Sequence, residues 1–197
     1  MAIAPILEAV VSLAAGLGLA AACGFRIFVP LLVASLAARY GHLPLAAGFD
    51  WVGSLPALIT FASATVLEVG AYYIPWLDHA LDTVATPAAM LAGIVAAASV
   101  VTDLPPALKW AVVIVGGGGA AGLIQGTSVL FRLKSTALTG GVANPVIATV
   151  ELLGATATAV LAVVLPLVCL AGVAALLVLG FRTTGRLLFG RRPAAPS

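Results

Sequence analysis

Three ionisable residues, Arg26, Glu68 and Glu151, lie inside long apolar runs of this chain. An ionisable group in hydrocarbon costs on the order of 3 kcal/mol or more by insertion scales, so such groups face a protein interior or a water-filled cavity and mark function. Of the 197 residues, 62% are hydrophobic and 8% are charged, against roughly 25% charged in a soluble domain. No hydrophilic block is large enough for a separate globular part. The pattern predicts an all-α, polytopic transmembrane helix bundle over residues 1–186, followed by a basic, disordered cytoplasmic tail over 187–197.

A membrane span needs about 20 mostly apolar residues at 1.5 Å of rise each. On that ruler six spans are expected: Ile6–Phe25, Val52–Tyr73, Pro87–Val101, Ala107–Phe131, Pro145–Val164 and Pro166–Phe181. The first apolar run continues past Arg26 to Arg39, and a single straight helix of that length would be about 50 Å long, beyond a bilayer core. The chain must break there, and Gly24, Arg26 and Pro30 supply the means. Residues 27–40 are therefore an interfacial helix or a re-entrant half-helix, and the polar stretch 133–144 is a loop or a short re-entrant segment. Six spans put both termini on one side. Arg132 and Lys134 in the fourth-to-fifth connection, with Arg182, Arg186, Arg191 and Arg192, place that side in the cytoplasm of a multi-pass inner-membrane protein. Residues 1–5 contain no Lys or Arg, so no cleavable signal peptide is expected and the first apolar segment stays.

Composition also narrows function. A net charge of +2 gives no footprint for nucleic acid. Cys23 and Cys169 fall in apolar runs without metal or disulfide spacing and read as small packing residues. No Ser/His/Asp set or paired-carboxylate motif stands out within the spans, so no catalytic residue and no cofactor are assigned, and an enzyme is the weakest reading. The metal question stays open.

Residues 21–31 can be laid over 120–130, and 65–71 over 149–155, which suggests two repeats, 6–103 and 107–181, of inverted 3+3 topology with broken or re-entrant helices, as in secondary transporters. Arg26 then corresponds to Gln125, and Glu68 roughly to Glu151. A buried arginine needs carboxylate or carbonyl partners, so Arg26 is expected to pair with Glu151 or Glu68. Asn144, about two turns before Glu151 on one helical side, joins the candidate solute or ion path of Arg26, Glu68, Gln125 and Glu151. Gly118, Gly122 and Gly126 have the small-xxx-small spacing of a helix-packing seam, which permits a homodimer. The alternative there is an unwound helix whose backbone lines a path with Gln125, Thr127 and Ser128. Asp78, His79 and Asp82 could bind a hard cation or relay protons; the competing reading is an interfacial helix with a solvated acidic face.

GFRIFVPLL at 24–32, the block of Glu68, Ile74, Pro75 and Asp78, and ANPVIATVE at 143–151 together resemble the domain-of-unknown-function family numbered 4126, small bacterial integral membrane proteins. The family pattern carries an Asp-Lys pair before Ile-Pro, where this chain has Tyr72-Tyr73, and an acidic pair where it has Glu151-Leu152. The resemblance implies a polytopic membrane protein and brings no activity with it.

The leading expectation is a small transporter or permease, proton- or cation-coupled, with the lipid bilayer and an unidentified small solute or ion as partners. A non-transporting membrane scaffold or lipid-binding protein is the alternative. A water-filled cavity reaching Glu68 and Glu151 would favour the first, and a dry core with both carboxyls bonded to helices the second.

Overall fold

A computed structural model describes residues 3–102 and 104–188, with the side chains of 3, 75–80, 82, 180, 181 and 183–188 left aside. The expected tail therefore lies almost wholly outside the described residues. All regular structure in them is helical: α1 (Ile3–Cys23), α2 (Phe28–Arg39), a 3-10 turn (Asp50–Gly53), α3 (Leu55–Ala71), α4 (Pro75–Val100), α5 (Pro106–Val112), a π-helical turn (Val113–Gly118), α6 (Gly119–Thr139), α7 (Asn144–Val164) and α8 (Pro166–Leu188). α5, the π turn and α6 form one continuous rod. Four segments, Ala4–Cys23, Thr83–Val100, Pro106–Thr139 and Asn144–Val164, are long and apolar enough to cross a membrane, whereas Phe28–Arg39, Leu55–Ala71 and Pro166–Leu179 are apolar but shorter. The outer surface agrees, since Val66, Leu67, Leu138, Val146, Val150, Leu153 and Val164 are all exposed, an apolar covering that a water-soluble monomer would not carry. The protein is a helical membrane bundle.

Its helices approach closely because their facing residues are small. A Cβ built on Gly93 of α4 would lie 2.7 Å from the Ala121 Cβ and 3.0 Å from the Gly117 carbonyl oxygen of the α5–α6 rod. Cβ atoms on Gly118 and Gly122 would meet Ile94 and Met90, so these two glycines belong to a packing seam within the chain, while Gly126 faces open space. The helix stays wound through the seam, with a single π turn in place of the unwound segment considered from sequence.

Packing also fixes helix direction. Gly16 of α1 faces Ala97 and Val101, Ala20 faces Gly117, and Gly24 faces Ala121 and Ile124. α1 thus runs antiparallel to α4 and parallel to α6. The Ile27 N–H donates to Glu68 Oε1 at 2.7 Å, and Ser35 Oγ–H donates to the Val52 carbonyl at 2.6 Å, so α2 runs antiparallel to α3. The Ala46 N–H donates to the Ser99 carbonyl at 2.8 Å, tying the connection after α2 to the end of α4 beside which α1 runs. α1 comes in from the Ser99 end, breaks at residues 24–27 inside the bundle, and α2 returns toward that end. Residues 28–39 are therefore a half-helix packed on α1, α3 and α7.

Several boundaries differ from the sequence expectation. Pro87 does not start a helix: α4 runs unbroken from Pro75 through it, because neighbouring helices and local adjustment make a proline tolerable in a membrane helix. α6 continues past Phe131 to Thr139 and ends at Gly140, whose φ of +62° is the left-handed cap geometry. The expected loop over 133–144 shrinks to residues 140–143, since LKSTALT is polar but has no helix breaker. The directions do not establish an inverted repeat: α3 and α7 run oppositely, but α1 and α6 run the same way. Nor does a shared side for the two termini follow from them, because α1 starts at the Ser99 end and α8 finishes at the other.

If the α4–α6 seam holds the bundle, Gly93→Val will cost about 1–3 kcal/mol by overpacking. Gly126→Ala, with nothing within 4 Å of its Cβ, will leave stability unchanged. Thermal unfolding in micelles measures both.

Candidate functional site

Where α1 breaks, four chain segments bring ionisable groups together. Arg26 stands in the break itself, Glu68 lies one turn before the end of α3, Arg132 is two thirds of the way along α6, and Glu151 is about two turns, roughly 10 Å, into α7. Arg26 and Arg132 are each 2% exposed and Glu151 is 5% exposed. Charges this deep persist only when paired and hydrogen-bonded.

Glu151 is the hub. Its Oε2 lies 3.4 Å from Arg26 Nη2 and accepts from Arg132 Nη2, while its Oε1 accepts from Arg132 Nε at 3.1 Å and from the Ser128 hydroxyl. Arg132 thus grips the carboxylate with two donors, the fork geometry that makes arginine a strong carboxylate ligand. Arg26 Nη2 also donates to the Ala148 carbonyl at 2.9 Å, one turn before Glu151. Tyr72, buried at the end of α3, carries both cations against its ring, with Arg26 Cζ 3.8 Å and Arg132 Cζ 4.2 Å from the centroid. Such cation–π contacts strengthen once desolvated.

Glu68 plays a different part. Its two oxygens accept the backbone N–H groups of Ile27 at 2.7 Å and Phe28 at 3.0 Å. These are donors at the start of α2 that its own turns cannot satisfy, and the positive end of the helix dipole favours the carboxylate there. Among the described residues, Arg26 Nε and Nη1 are buried with no partner, as is the hydroxyl of Thr65, one turn before Glu68. Glu68 itself is half-buried.

Of the residues singled out from sequence, Arg26 and Glu151 are in direct contact, and Glu68 joins them through the start of α2. Gln125 is buried on the face of α6 that also carries Ser128 and Arg132. Asn144 is buried at the start of α7, its Nδ2 donating to Thr136 Oγ1 at 3.2 Å. The side chains of Asp78, His79 and Asp82, at the start of α4, lie outside the described ones, and among the described residues no three His, Cys, Asp or Glu side chains gather as metal ligands would. Cys23 and Cys169 are free thiols in the packed interior. An open depression of about 700 Å³ lies away from the centre, beside Arg39, Tyr40, Asp50 and Ser54.

Arg132 corrects the sequence reading. In the sequence it reads as a charge at a cytoplasmic loop; in the structure it is a buried partner of Glu151. Gln125, Ser128 and Arg132, at i, i+3 and i+7, were a legible helical face, but ending the helix at Phe131 cut that face before its charge.

A family model described as a domain of unknown function (DUF4126) matches residues 13–186. The chain belongs to the DUF4126 family. The match takes in α2 through α7 whole, and Arg26, Glu68, Arg132 and Glu151 all lie inside it. No curated protein and no solved structure matches the chain. Family membership and the apolar helices together identify a membrane protein of the DUF4126 family.

Removing one partner of a buried ion pair typically costs about 3–5 kcal/mol. Arg132→Met is expected to destabilise the protein on that scale, and Lys134→Met, an exposed position two residues on, by less than about 0.5 kcal/mol. Chemical unfolding in mixed micelles compares the two directly; equal small losses would return Arg132 to the surface.

Proposed function

We propose that this protein is a small membrane transporter or permease whose polar site is the centre formed by Arg26, Glu68, Arg132 and Glu151, and whose movement of solute is coupled to a proton. The observation that carries the reading is Arg26. A guanidinium 2% exposed, at a helix break inside an apolar bundle, keeps two nitrogens without hydrogen-bond partners among the described residues. A group kept only for packing would be expected to have its donors satisfied, because a half-satisfied buried network is less stable than an apolar one. Half-helices that begin inside a bundle are the elements on which transporters build solute sites, and α2 has that form. Glu68, half-buried and bonded to backbone N–H groups where Glu151 is gripped by Arg132, is the carboxylate of the site left to take up a proton, and Gln125 and Asn144 extend its polar lining along α6 and α7.

A second reading, a non-transporting scaffold, draws on one specific observation: every carboxylate oxygen of Glu68 and Glu151 is bonded within the protein. In that reading the charges only lock the helices. In the transport reading this is the closed arrangement, and Glu68 is the group that leaves it.

Protein reconstituted in liposomes with an internal pH dye separates the two. After a pH step, transport predicts proton flux several-fold above that of protein-free vesicles, falling to the vesicle level in Glu68→Gln. Equal flux from wild type, Glu68→Gln and empty vesicles, across a panel of added small solutes, would favour the scaffold.

A further inference from the structure

The Glu68 carboxylate sits where a ligand anion would. It occupies the two N–H groups at the start of α2, Ile27 and Phe28, directly after Arg26 in the chain. A helix N-terminus favours any anion, and here a second feature points the same way. Arg26, almost wholly buried, still has Nε and Nη1 to offer, and the Thr65 hydroxyl is a further buried polar group without a partner on the Glu68 face of α3. None of these three groups is used by the Glu68 carboxylate, which bonds the two backbone N–H groups alone.

Charge balance sharpens the argument. In the centre two arginines face two glutamates. Protonation of Glu68, by one proton taken from solvent, removes its charge and weakens its hold on both N–H groups. The centre is then left with one positive charge in excess, and one monoanion restores neutrality. Glu151 cannot play this role, because Arg132 grips it with two donors and Ser128 with a third.

We infer that the start of α2, with Arg26, is a binding site for a small carboxylate anion, and that Glu68 is its resident internal competitor, displaced when it takes up a proton. One anion and one proton thus occupy the site together. The inference rests on the transport reading for its purpose, but binding alone reads it out. The charged and titratable groups near Glu68 are Arg26 at the break, Cys23 on α1, Tyr72 just after α3 and Glu151 on α7, with Arg132 of α6 held on Glu151 and the Tyr72 ring; on α4, Asp78, His79 and Asp82 have side chains outside the described ones. Of these, Glu68 alone bonds the α2 donors.

The test uses purified full-length protein in micelles, titrated calorimetrically with sodium acetate at constant ionic strength. Wild type should bind acetate more tightly as pH falls. Glu68→Ala should bind at least about tenfold more tightly than wild type at pH 7, since the internal competitor no longer reduces the binding-competent fraction, and should lose the pH dependence. Arg26→Gln in the Glu68→Ala background should abolish binding. If Glu68→Ala fails to fold, Glu68→Gln takes its place with the same expected direction. A parallel titration with palmitate in mixed micelles distinguishes a soluble carboxylate from a lipid-borne one: acetate binding assigns the former, and palmitate binding without acetate binding the latter. No binding of either to the folded Glu68 variants, or binding indifferent to Arg26, would overturn the inference. Acetate binding without liposome flux would sink the transport reading and leave this site standing, whereas flux without binding would do the reverse.

Discussion

Arg26 is the constraint on which the rest of the structure depends. A guanidinium placed where α1 would otherwise continue through hydrocarbon must be taken out of lipid, because an unpaired charge there costs several kcal/mol. The chain breaks at that residue, and the break turns the end of one helix and the start of the next into an internal polar point. Glu151 and the Ala148 carbonyl come from α7, Arg132 and Ser128 from α6, Tyr72 and Glu68 from α3. Four segments are thereby held in register by one charge and its partners.

The small residues of the chain make that convergence possible. Ala20, Gly93, Gly117 and Ala121 let α1, α4 and the α5–α6 rod meet nearly backbone to backbone. In a membrane, where lipid tails are as apolar as leucine, such close approach and interhelical polar contacts are what hold helices together. The exposed leucines and valines of α3, α7 and α8 then face outward without needing a protein partner. Packing and polarity are therefore complementary: a small-residue seam at one level of the bundle, and a paired-charge centre near the end where α3 meets α4 and α6 meets α7.

Much of this was legible in the sequence. The charges at 26, 68 and 151 in apolar runs marked the polar centre, and Arg26 was expected to meet a glutamate. Gly24 and Pro30 marked the break, and Pro75 the end of the α3 segment. Other features were not legible, for physical reasons. Pro87 looked like a helix start because proline suits a first turn, yet in a bundle its lost hydrogen bond is tolerated mid-helix. The polar run after Phe131 reads as a loop because it lacks the apolarity of a span, although nothing in LKSTALT breaks a helix. Arg132 stands at the start of that run, so its burial is not legible there. Tyr72 stood out only as a departure from the family pattern, and its role as a ring against two guanidiniums depends on tertiary contact. The direction of α2 has no local signature at all.

The most direct test of the account is a double-mutant cycle between Arg132 and Glu151, using Arg132→Met and Glu151→Gln singly and together, read by unfolding in micelles. If the two side chains form the buried pair that joins α6 to α7, the double variant will be more stable than the sum of the single losses predicts, with a coupling of about 1–3 kcal/mol. Additivity within about 0.5 kcal/mol would mean that they do not touch, and the centre on which the account is built would not exist.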